Sequence, residues 1–216
     1  KEVRDVIGYE IPLAIDHVGH VSEGSVIALA QRLEKYNIAW LEDVAPWMQT
    51  NIYKKISDRV SVPLCTGEDI YLAENFAPLM QSRAVSVVHP DVLTVGGAGE
   101  MKKLECMCEK YGVTAAIHMA ESPVAFMAAV HIAASMKNVL AVEFHSADHP
   151  EWFKLAKGLP DPLIKDGFVR VPDSPGLGIE DIDEATVKKY LHKERSGYFE
   201  DTSAWDGEWA NDREWS

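Results

Sequence analysis

From residue 11 the chain alternates between two patterns: short, β-rich apolar runs that close on an ionisable residue, and longer segments whose apolar positions recur at helical spacing. The runs are 11–16 (IPLAID), 38–42 (IAWLE), 62–68 (VPLCTGE), 85–91 (VSVVHPD), 113–118 (VTAAIH) and 139–143 (VLAVE). Among the intervening segments, 24–36 places Val26, Leu29, Ala30 and Leu33 on one helix face, and 122–136 carries an Ala-rich face suited to close packing on a sheet. Each helix returns the chain for another parallel strand. The first residues, KEVRDVIGYE, read as the end of a helix running into a strand.

The residues closing the six runs are Asp16, Glu42, Glu68, Asp91, His118 and Glu143, at steps of 26, 26, 23, 27 and 25. One βα unit per step, with nearly continuous apolar strands, predicts an α/β fold: a parallel sheet covered by helices, of the (β/α)8 TIM-barrel type. Six units make an incomplete barrel, and its two open sheet edges would leave backbone groups unpaired, so a further piece of chain is expected to complete it. An open doubly wound sheet is the competing architecture. It fits less well, because no Gly-rich phosphate loop follows an early strand and GGAGE at 96–100 does not match GxGxxG. After the sixth run the rhythm breaks: 144–182 is loop-rich, with a short strand predicted at 168–171 (FVRV), and a last helix is predicted over 183–191. The division expected is a barrel portion over 1–192 and an acidic tail over 193–216. The tail carries Trp205, Trp209 and Trp215 and is expected to dock on a neighbouring surface.

Composition narrows the partners. The chain has 216 residues with 47% hydrophobic content, as in an ordinary globular domain. Its net charge of −13 opposes binding to nucleic acid, whose phosphates it would repel, but not to a small acid held through a metal. Cys65, Cys106 and Cys108 are an odd set without a CxxC pair, which disfavours a disulfide framework or a cysteine zinc site and suits a reducing cytoplasm. No run of 18 apolar residues is present, so no membrane association is expected.

In a parallel barrel the C-terminal strand ends converge on one face, so the six closing residues point into one mouth. Asp16, Glu42 and Glu68, on three consecutive strands, would repel one another severely without a cation or raised pKa values. An all-oxygen donor set suits a hard ion such as Mg2+. His118 ends one strand and Asp91 the strand before it. If they meet, the carboxylate fixes the imidazole tautomer and raises its basicity, making a general base or acid. Glu143 either hydrogen-bonds a substrate carboxylate as a neutral acid or stabilises local charge.

Together these residues resemble the mandelate racemase subgroup of the enolase superfamily. Asp16 in LAID, Glu42 in WLED and Glu68 in TGED are similar to its metal-binding acids on barrel strands three to five. Asp91 in HPDVLTVGG and His118 in AIHMAESP match its Asp/His dyad, Glu143 in AVEF its eighth-strand Glu, and VPDSPGLGI its PGLG turn. The resemblance covers roughly 9–192. It implies that strands three to eight are present, whereas the N-terminal capping domain and the first two strands, the second of which often supplies a lysine base, are not. It departs from the family at Glu42-Asp43-Val44-Ala45-Pro46, where Glu-Glu-Pro is usual, and at Asp16-His17-Val18-Gly19-His20, where acid-sugar dehydratases often have Asp-x-His. His17 or His20 is a candidate extra acid, with a hydrogen-bonded loop His as the plainer alternative.

The chemistry implied is Mg2+-dependent removal of the proton α to a carboxylate. Dehydration of an acid sugar to a 2-keto-3-deoxy acid is the reading preferred. A racemase, epimerase or cycloisomerase is an alternative, and so is a non-catalytic barrel portion serving as a scaffold. A small-molecule carboxylate and a homo-oligomeric assembly are the partners expected.

Overall fold

The computed structural model describes residues 1–16, 21–146 and 149–191. His17, His20 and the acidic tail 193–216 lie outside the described residues. The chain forms two compact units, Lys1–Met119 with Ile132–Glu143, and Ala120–His131 with the chain from Phe144 onward.

In the first unit, α1 (Glu2–Ile7) and α2 (Glu23–Leu33) precede β1 (Leu41–Glu42), α3 (Thr50–Ser57), β2 (Leu64–Thr66), α4 (Ala77–Gln81), β3 (Val87–Val88), α5 (Ala98–Tyr111) and β4 (Thr114–Ile117). Helix α6 (Pro123–Ser135) begins in the second unit and ends in the first, where β5 (Val139–Val142) follows. The five strands pair in chain order, all parallel, with Glu42 opposite Cys65, Cys65 opposite Val87, and Val88 opposite Ala115. The run predicted over 11–16 joins this sheet at a single parallel bridge, Ile15 to Leu41. Its backbone is held by Ala39 N–H to Leu13 O at 2.8 Å and Glu42 N–H to Ile15 O at 2.8 Å. Six segments are thus aligned as expected, although the ladders are shorter than the apolar runs. No pairing between the 11–16 segment and β5 closes a barrel among the described residues.

Local chemistry explains the element ends. Ser22 caps α2, its hydroxyl accepting from Ser25 N–H at 3.3 Å. The predicted helix over 24–36 tightens to a 3-10 turn at Glu34–Tyr36 and stops at left-handed Asn37. Arg4, 4% exposed, fixes the crossing beside it by donating to the carbonyls of Tyr36, Asn37, Gly8 and Ile11 at 2.7–2.9 Å. On α2, Val26 and Ala30 are fully buried but Leu29 is exposed, so the buried stripe is narrower than its sequence pattern. Helix α5 ends at Gly112 in the left-handed conformation, whose N–H reaches back to Cys108 O.

Strand pleating sorts the sheet residues by alternate positions. On one face Trp40, Cys65, Val87 and Ala116 pack together as an apolar layer. Two residues further along the same strands come Glu42, His89 and His118, with Asp16 two beyond Ala14 and Glu143 two beyond Ala141. That step turns core into a polar rim.

The second unit is built around Phe126, Phe144, Trp152 and Phe153, whose rings lie 5.1–5.7 Å apart, mostly edge to face. The Trp152 indole N–H donates to Glu121 O at 2.8 Å. Two short antiparallel pairs follow: β6 (Ala156–Lys157) pairs with β9 (Asp181–Ile182), and β7 (Ile164–Lys165) with β8 (Phe168–Val169). The predicted 168–171 strand is therefore half as long and belongs to a hairpin. Helix α7 (Glu184–Lys189) is capped by Asp183, which accepts from Thr186 N–H at 2.7 Å. No helix among the described residues is long and apolar enough to cross a membrane.

Candidate active site

The polar rim surrounds a cavity of about 270 Å³ lined by Asp16, Trp40, Glu42, His89 and Glu143 over a floor of Ala14, Ala116 and Ala141. Small floor residues leave the space, and the ionisable side chains two positions on make its walls reactive.

Asp91 and His118 meet. Their backbones form a parallel bridge, and Asp91 Oδ2 lies 3.1 Å from His118 Nδ1. The other carboxylate oxygen accepts from the N–H groups of Leu93 at 2.7 Å and Thr94 at 2.9 Å, so the turn after β3 locks the acid in place. Burial disfavours its charge, but the His118 hydrogen bond and these two amides outweigh burial and hold the carboxyl below its usual range. For His118, burial likewise opposes the charged form. The Asp91 hydrogen bond and the charges of Glu68, Glu143 and Asp91 prevail, pushing the imidazole up to about 9. With Nδ1 given to Asp91, Nε2 faces Glu68 Oε2 at 3.4 Å and Glu143 Oε2 at 3.7 Å. Glu143 itself accepts from Met119 N–H at 3.2 Å.

The carboxylates gather less symmetrically than one per strand end. Oxygens of Asp16, Glu42 and Asp43 lie within 4.8 Å of one another, while Glu68 turns toward His118. Burial, and after it the neighbouring charges of Glu42 and Asp16, push Asp43 up to about 6 against a 2.6 Å hydrogen bond from the Thr66 hydroxyl. Burial and the charge of Asp43 push Glu68 up to about 7. Glu42 differs: burial opposes its charge, but His89 and the Trp40 N–H outweigh this and hold it below its usual range. Two acids whose protons are retained toward neutral pH, beside one that stays ionised, fit a site that binds a divalent cation through oxygen.

Two rim residues escaped the sequence pattern. His89 is 5% exposed, with Nδ1 against Glu42 Oε1, Nε2 3.7 Å from Glu143 Oε2, and its ring edge-on to His118 at 5.3 Å between centroids. The signal was present: His89 lies two residues before Asp91, on the same face of the strand. Asp43 sits next to Glu42, and an alternating strand would turn it outward. A positive φ of 45° instead brings its carboxylate back into the cluster.

Comparison with known proteins gives one family. Residues 1–185 match the model described as enolase C-terminal domain-like. D-xylonate dehydratase of Haloferax volcanii is 32% identical over 179 residues, covering 83% of this chain and 43% of that protein. A mandelate racemase/muconate lactonizing enzyme-like protein from Rubrobacter xylanophilus superposes with a TM-score of 0.83 at 32% identity, over 88% of this chain and 48% of that one. The 3,6-anhydro-D-galactonate cycloisomerase of Zobellia galactanivorans superposes with a TM-score of 0.79 at 28% identity, over 88% of this chain and 53% of that one. The chain thus spans about half the length of these relatives.

Proposed function

The chain belongs to the enolase C-terminal domain-like family, and from that premise we propose that it removes the proton α to a carboxylate with Mg2+, dehydrating an acid sugar to a 2-keto-3-deoxy acid. The observation that carries the reading is His118, anchored through Nδ1 by Asp91 and presenting Nε2 to the carboxylates of Glu68 and Glu143. Asp16, Glu42 and Glu68 would hold the metal, with Asp43 adding negative charge beside them. When bound, Mg2+ supplies positive charge that stabilises the negative charge developing on the substrate carboxylate as the proton leaves.

The residues of the chain do the remaining work. His118 takes the α proton at Nε2 or delivers one there to the departing β-hydroxyl, and its raised pKa suits the delivering role near neutral pH. Asp91 keeps the ring in the tautomer and orientation this needs. Glu143, on the next strand, stands where it can hydrogen-bond a substrate oxygen or balance the imidazolium. The dehydratase name of the Haloferax relative supports the acid-sugar reading.

A second reading is cycloisomerisation or epimerisation of a carboxylate substrate, supported by the similarity to the Zobellia cycloisomerase. Incubating the protein and Mg2+ with a panel of aldonates and aldarates, while assaying 2-keto acid and solvent-proton exchange, separates the two. Formation of a 2-keto-3-deoxy acid is expected. Proton exchange or epimer without 2-keto product would favour the second reading, and neither product would leave the scaffold alternative.

A further inference from the structure

Glu42 is the most enclosed acid of the cluster, at 4% exposure, and both of its oxygens are bound. Oε2 accepts from the Trp40 indole N–H at 2.7 Å, and Oε1 meets His89 Nδ1. An indole N–H only donates, so Trp40 fixes Oε2 as an acceptor. A carboxylate only accepts, which places the proton of that hydrogen bond on His89 Nδ1. One donor on each oxygen leaves each a second lone pair, while fixing the plane and direction of the group.

The mounting of His89 is itself constrained. Gly67, at the end of β2, has φ +150°, and a Cβ there would lie 3.0 Å from the backbone N and C of His89 and 2.8 Å from the Phe76 ring. Glycine lets the two backbones approach, joined by His89 N–H to Thr66 O at 3.0 Å. Trp40 is held from below by Cys65, Val87 and Ala116. Both donors are therefore anchored independently of Glu42.

We propose that Trp40 and His89 form an outer clamp that presents Glu42 to a divalent cation, His89 acting as a positioning residue through Glu42. The inference rests on the metal-binding reading above and adds to it why one carboxylate is held in a fixed plane and direction. Outer partners of this kind commonly change metal affinity about 10–100-fold.

Calorimetric titration of Mn2+ into the full chain tests this without an activity assay. His89→Leu should weaken Mn2+ binding by about 10–100-fold, Trp40→Phe by about tenfold, and His89→Asn, whose amide N–H replaces the Nδ1 donor, by no more than about threefold. Circular dichroism should show the three variants folded as the wild type. Binding within threefold of wild type in both His89→Leu and Trp40→Phe would overturn the clamp while leaving the metal reading intact. So would equal weakening in His89→Asn and His89→Leu, because the hydrogen bond would then not be the cause. Should His89→Leu not fold, Trp40→Phe decides by the same threshold. A wild-type chain that binds no Mn2+ would sink the metal reading and the clamp with it.

Discussion

The two layers on the inner face of the sheet share strands and differ by one pleat. Trp40, Cys65, Val87 and Ala116 form a packed apolar layer, whereas Glu42 and His89 two residues on line a cavity, with the His118 ring edge-on to His89 beside it. Burial acts on both in opposite senses. It stabilises the first layer by removing apolar surface from water, and in the second it opposes ionisation, which pushes Asp43 and Glu68 up while hydrogen bonds overcome it at Glu42 and Asp91. A residue's height along the strand therefore decides whether a substitution is felt as stability or as chemistry.

The largest separation should come from His118→Asn. We expect turnover to fall by about 10²–10⁴-fold with the circular dichroism spectrum of the folded chain retained. A rate close to wild type would remove His118 from the chemistry. Next, Glu68→Gln should weaken metal binding by more than the roughly 100-fold reach of an outer partner, and Asp43→Asn by less. If calorimetry reverses that order, Asp43 and not Glu68 completes the ligand set.

The acid cluster also predicts how stability depends on pH. Asp43, Glu68 and His118 all hold protons more tightly in the folded state, near 6, 7 and 9 against ordinary values of 3.8, 4.5 and 6.5. Their contributions are fully present below those ordinary values and are lost as pH rises, through about 4–7 for the two acids and about 6.5–9 for His118. Glu42 and Asp91 are shifted down, so their contribution is present above their ordinary values of 4.5 and 3.8 and is lost only on further acidification. Metal-free protein should thus melt lower at pH 8 than at pH 5.5. Mg2+ at one fixed concentration, about 100 times its dissociation constant at pH 8, should add roughly 2.7 kcal/mol there, about 5–10 °C, and less at pH 5.5. Equal gains at both pH values would detach the acids from the cation.

The smallest effect belongs to the apolar layer. Val87→Ala should cost about 1–3 kcal/mol by leaving a void in this layer, read as a lower melting temperature, with Mn2+ affinity unchanged within about threefold. A large loss of affinity without loss of stability would blur the boundary between the layers.

How much of this was readable in advance follows the same pleat. The nearly constant spacing of Asp16, Glu42, Glu68, Asp91, His118 and Glu143 is a property of residue order, so the strand succession and the meeting of Asp91 with His118 were legible. A pattern of one closing residue per strand omits His89, although positions i and i+2 both face inward. Asp43 left no such trace, since a single left-handed dihedral returns it to the cluster and Asp carries no pattern that announces it. The antiparallel pairs after Phe144 are two residues long, too short for alternation to register. Leu29 lies on the predicted apolar stripe of α2 yet is 36% exposed, because helical spacing sets a face but not its buried width.

The central claim, that the inner strand ends hold a divalent cation beside His118, is tested most directly by an anomalous difference map from crystals grown with Mn2+. The account predicts one strong peak in contact with oxygens of Asp16, Glu42 and Glu68. No peak at these strand ends, or a peak bound only elsewhere, would contradict it.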